Sequence, residues 1–117
     1  RAVVKGSDAL SAAEAGNFPR ARAEIADAEK INPLSVDLLF QQAAIEQADN
    51  DVAAARAAYQ EAVRKQPANP ASWLNLAQFE LDQGRKPQAL SAVGSALYLD
   101  PRSPEAIATY LEASRES

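Results

Sequence analysis

Small and apolar positions recur at helical spacing along nearly the whole chain, in an Ala-rich periodicity broken at Gly16-Asn17, Asn50-Asp51 and Gly84-Arg85. Turn-forming residues at those places divide the pattern into paired helical stretches, each pair a helical hairpin. Proline sets the length of the unit, since Pro33, Pro67 and Pro101 stand 34 residues apart. Laid out on that period in rows 2–35, 36–69 and 70–103, the chain aligns Ala9, Ala43 and Ala77 in one column. It also aligns Ala21, Ala55 and Ala89, then Ala28, Ala62 and Ala96. With Ala at 27 of 117 positions, three all-Ala columns exceed what composition supplies, and they mark where helix backbones approach closely.

The predicted helices are residues 3–15, 18–31, 36–48, 52–65, 70–83, 87–99 and 104–115. Asn69-Pro70 and Ser103-Pro104 each place a capping side chain before a proline at the first helical position, where its missing N–H costs nothing. Ser35 opens the second row in a similar way. Asp49-Asn50-Asp51 begins like a calcium loop, but Ala54 occupies the glycine position and Gln60 the twelfth-position carboxylate. Asp51 reads instead as the N-cap of the helix that follows.

Composition narrows the function. A chain of 117 residues suits one domain, 1–117, and its 47% hydrophobic content is so rich in Ala that bulky apolar side chains are few. His, Cys and Met are absent, which removes imidazole acid–base chemistry, thiol nucleophiles, disulfides and every His/Cys metal or haem site. No Gly-rich phosphate loop, nucleophile–base pair or glycosylation sequon is present, so the expectation is a non-enzyme without cofactor or metal. A net charge of -4, with neither Lys nor Arg clustered, argues against nucleic acid as partner. The longest unbroken apolar stretches are far short of the roughly 20 residues that span a bilayer. Because the chain begins at Arg1, it reads as a fragment or processed piece, which leaves its compartment open between the cytoplasm and a membrane-embedded parent.

The rows resemble the tetratricopeptide repeat (TPR) family, whose pattern is Trp-x-x-Leu-Gly followed by a small residue, an aromatic, Ala and Pro at set positions in 34. The third row matches best, with Trp73, Leu76, Ala77, Gly84, Ala89, Val93, Ala96 and Leu99-Asp100-Pro101. The second offers Leu39, Ala43, Ala55, Tyr59, Ala62 and Pro67. The first keeps Ala9, Gly16, Ala21, Ile25, Ala28 and Pro33 but has Lys5 and Asp8 where Trp and Leu are expected. Glu46 and Glu80 replace the family's usual aromatic late in the first helix of their rows. The resemblance implies an all-α solenoid of three hairpins, with residues 104–117 as a capping helix that ends in polar Glu112, Arg115 and Glu116. A narrower likeness joins Ile31-Asn32-Pro33-Leu34-Ser35 and Tyr98 to Ser103 to repeat tails of bacterial, especially actinobacterial, O-antigen polymerase or ligase-like membrane proteins. That likeness implies a part in cell-surface polysaccharide assembly.

Family resemblance also implies a partner-binding groove lined by the first helix of each hairpin. Its columns are Asp37, Phe40, Gln41, Ala44 and Gln47 in the second row, and Ala71, Leu74, Asn75, Gln78, Leu81 and Asp82 in the third. Phe40, Leu74 and Leu81 either anchor a bound peptide or helix or pack against a neighbouring helix. Chaperone-binding members hold a peptide carboxylate with Lys, Arg and Asn; the matching positions here are Gly6, Leu10, Gln41, Ala71 and Asn75, without a cation. Trp73 and Tyr59 fall in core columns. Arg20, Arg22 and Arg56 are expected on a convex face, and Glu105, Glu112 and Glu116 in a solvated helix end. The expected function is a non-catalytic protein-interaction module, with self-association as the alternative that would complete a short repeat array.

Overall fold

The computed structural model describes residues 12–115, all helices and short turns. Six helices are complete within that span: α1 (Phe18–Ile31), α2 (Val36–Ala48), α3 (Val52–Lys65), α4 (Pro70–Asp82), α5 (Lys86–Leu99) and α6 (Pro104–Ser114). Residues 12–14 are helical too; the rest of the predicted helix 3–15, with Lys5, Gly6, Asp8, Ala9 and Leu10, lies outside the described residues, as does Glu116. The second, third and fourth predicted helices coincide with α1 to α3, while α4 and α6 each stop one residue early and α5 starts one early.

The caps explain this agreement. Asn17, Ser35, Asn69 and Ser103 each accept a backbone N–H of the helix they precede, and Asp51 does the same from Ala54 at 3.0 Å. At the other end, Gly16, Asn50 and Gly84 share one repeat column and all have positive φ, at 82°, 62° and 76°. The next residue then reaches back five positions: Asn17 N–H donates to Ala12 O at 2.8 Å, Asp51 N–H to Glu46 O at 2.8 Å, and Arg85 N–H to Glu80 O at 2.9 Å. One left-handed residue and one long bond close three helices in the same way.

The chain divides into two compact units, Arg1–Ala62 and Val63–Ser117, with the division inside α3. In the first, α1 packs on α2 around Ala21, Ile25, Ala28, Leu38 and Ile45, while Val36, Leu39 and Ala62 form a separate cluster beside Phe40. In the second, α4 packs on α5 and α6 contacts both, around Ala77, Ala92, Val93, Ala96 and Ala106. Every described member of the three Ala columns is buried. A methyl is the largest group that lets the backbones close at these crossings, where overpacking costs about 1–3 kcal/mol.

Candidate functional site: the exposed faces of α2 and α4

Each first helix of a hairpin keeps one face away from its own core. On α2 that face carries Asp37 and Ala44, both exposed, and Phe40, Gln41 and Gln47, all half-buried. Phe40 stacks obliquely on Tyr59 of α3, ring centroids 6.2 Å apart, so part of its surface is spent inside the hairpin. The Tyr59 hydroxyl donates to Gln47 Oε1 at 3.3 Å, which fixes the Gln47 amide beside the ring pair. Gln41 Oε1 is buried and accepts no hydrogen bond among the described residues.

On α4 the corresponding face carries Ala71, Gln78 and Asp82, exposed, with Leu74, Asn75 and Leu81 half-buried. The Asn75 amide donates to Ala71 O at 2.8 Å, so it lies along its own helix. Leu74 rests on the second unit's core and also borders a cleft of about 220 Å³ lined by Asn69, Pro70, Ala71, Leu74, Ala96, Asp100, Ser103, Glu105 and Ala106. Of the three apolar candidates, Phe40 and Leu74 therefore both pack on a core cluster, and Leu74 also faces a cavity.

Trp73 packs on the second unit's core, and its indole N–H donates to Pro67 O at 2.7 Å. Its remaining surface borders an open cleft of about 450 Å³ with Pro67, Ser91, Gly94, Ser95, Tyr98 and Leu99. Tyr98 is 88% exposed there. Nothing in the repeat pattern marks this aromatic surface, because the column of Tyr98 holds Lys30 and Arg64 in the earlier rows.

Two expectations about charge change. Arg22 is not a free surface cation beside Arg20: its guanidinium donates to Glu46, Nε to Oε2 at 3.1 Å and Nη2 to Oε1 at 2.8 Å, and also bonds Asp49. These carboxylates raise the Arg22 pKa above its already high ordinary value, the hydrogen bond to Glu46 being the largest cause. Glu46 is only 5% exposed, so the carboxylate that stands in place of the family's aromatic is buried as half of a bidentate pair between α1 and α2. In the second unit Glu80 is likewise buried, with Arg85 Nε 3.7 Å away.

On α6 the Glu112–Arg115 pair is exposed, as the polar end required. Ile107, Tyr110 and Leu111 are exposed as well and form an apolar stripe. They stand one period after Trp73, Leu76 and Ala77, which α5 covers in the preceding hairpin.

These surfaces offer shape, apolar contact and carboxylates. Residues 40–104, more than half of the chain, match the tetratricopeptide repeat family. The chain belongs to the TPR family. A comparison with curated protein sequences gives no match. Solved TPR domains share the fold. The Sgt2 TPR domain of Aspergillus fumigatus is 18% identical over 95% of this chain and 75% of that one, with a TM-score of 0.74. The second TPR domain of human RPAP3, solved with an HSP70 peptide, is 12% identical over 98% and 96%, with a TM-score of 0.74. The Yersinia enterocolitica type III secretion chaperone SycD, solved with a peptide of the translocator YopD, is 16% identical over 93% and 88%, with a TM-score of 0.70. No helix among the described residues is long and apolar enough to cross a membrane.

Proposed function

We propose that this TPR chain is a non-catalytic protein-interaction module that receives a peptide or a helix on an exposed first-helix face, that of α2 or that of α4. The observation that carries the reading is on α4, where half-buried Leu74 and Leu81 alternate with exposed Ala71, Gln78 and Asp82. Such a face supplies apolar anchors without a bulky wall in front of them. Two structural neighbours were solved with peptides, which supports the same kind of use here.

Acidic carboxy-terminal peptides are poor candidates. Ala71 offers no donor, and the Asn75 amide is engaged with Ala71 O. Neither replaces the cations of the family's carboxylate clamp, so a terminal carboxylate would lose its charge-assisted bonds. The test is selection of peptides against the intact chain from a displayed library, followed by Ala44→Arg and Gln78→Arg, which place a long side chain on each face without touching a core cluster. Binders weakened at least about tenfold by one of them, with unchanged circular dichroism, support the reading; binders indifferent to both contradict it.

Self-association is a second reading, favoured by the exposed Ile107, Tyr110 and Leu111 stripe. Light scattering over a concentration series decides it, and a strict monomer ends it. The narrower likeness would make the module part of a membrane glycopolymer polymerase or ligase, tested by sequencing upstream of Arg1 for apolar runs of 18 or more residues.

A further inference from the structure

The cleft between the start of α4, the end of α5 and the start of α6 has two kinds of wall. Leu74, Ala96 and Ala106 make an apolar floor, and Asp100 and Glu105 stand at the rim. Neither carboxylate is engaged in an ion pair or side-chain hydrogen bond among the described residues, and Arg102, in the same turn, pairs with neither and lies outside the lining. A cleft of about 220 Å³ is below the range of cofactor-sized pockets and suits one long side chain.

The helix ends around it decide the sign of charge. Lys30 lies in the last turn of α1, and Arg64 and Lys65 in the last turn of α3, so each of these helices carries a cation at its negative end. No basic residue occupies the last turn of α5, and Tyr98 and Asp100 stand there instead. The two helix starts at the rim favour anions in principle. Their donors are reduced here: Pro70 and Pro104 carry no N–H, Asn69 Oδ1 takes the Ala71 N–H and Ser103 Oγ the Ala106 N–H. Glu105 adds a negative charge inside the first turn of α6.

We infer that this cleft is a subsite for a Lys or Arg side chain of the bound peptide. The aliphatic stem lies on Leu74, Ala96 and Ala106 while the cationic head meets Asp100, Glu105 and the carbonyl end of α5. The inference rests on the peptide-binding reading and gives it a charge: the partner is a basic segment, in keeping with a chain of net charge -4.

The experiment uses the intact chain and three end-blocked peptides built on one amphipathic sequence, with Arg, norleucine or Glu at a single central position. Isothermal titration and amide NMR mapping are read for the wild type, for Asp100→Asn/Glu105→Gln, and for Asp27→Asn, an exposed α1 carboxylate outside both candidate faces, as a charge control. The Arg peptide is expected to bind about fivefold tighter than the norleucine peptide, with the Glu peptide weakest, and shifts at Leu74, Ala96 and Ala106. That preference disappears in the double variant and persists in Asp27→Asn. Equal binding of the Arg and Glu peptides, with shifts still on α4, overturns the cationic subsite and leaves the interaction module standing. Absence of binding by all three overturns both.

Discussion

Arg22 and Glu46 show what a single residue hides in one sequence. Read alone, Glu46 is a charge where the repeat expects an aromatic; 24 residues earlier lies the guanidinium that makes its burial tolerable. Spacing along a helix cannot reveal that pairing, because it links two helices. Arg22→Ala is expected to lower the thermal midpoint more than the double change Arg22→Leu/Glu46→Leu, since only the single variant strands a buried carboxylate. Melting by circular dichroism gives the order, and the reverse order would show that the pair adds little. Ser72 is the opposite case: it is fully buried in α4 with no partner for its hydroxyl among the described residues. Ser72→Ala is expected to stabilise the chain by about 1 kcal/mol in urea denaturation; a loss of stability would mean the hydroxyl has a bond to lose.

Helices were the most legible level, for a local reason. N-caps, prolines at first helical positions and the Gly16, Asn50, Gly84 column are signals written in consecutive residues, and they set the ends of α1 to α6 within one residue. The turn column also carries a prediction. Ala at Gly84 meets no atom within 4 Å, so Gly84→Ala costs only its left-handed backbone, about 1 kcal/mol. Asn50→Gly, at φ 62°, is expected to gain roughly 0.5 kcal/mol. Denaturant titration of both variants checks the pair, and a Gly84→Ala chain as stable as the wild type would refute the turn argument. Less legible was the outer face of α6, because a repeat column tells which residues face a second helix only where a second helix follows. Ile107, Tyr110 and Leu111 occupy those columns and remain exposed.

At the scale of the molecule, the 34-residue period in Pro and Ala was enough to place the chain in its family, since repetition of one hairpin is itself the architecture. The site was only partly readable. The columns pick out faces of α2 and α4 that keep exposed positions, but Phe40 is shared with Tyr59, and the cleft beside Leu74 takes its carboxylates from Asp100, after α5, and Glu105, in the first turn of α6. The most direct measurement is amide NMR of the labelled intact chain titrated with a peptide selected for binding. Shifts concentrated at Ala71, Leu74, Gln78, Leu81 and Asp82, or at Asp37, Phe40 and Ala44, are the predicted result. Shifts confined to the Trp73 and Tyr98 cleft, or to the α6 stripe, would contradict recognition by the first-helix faces.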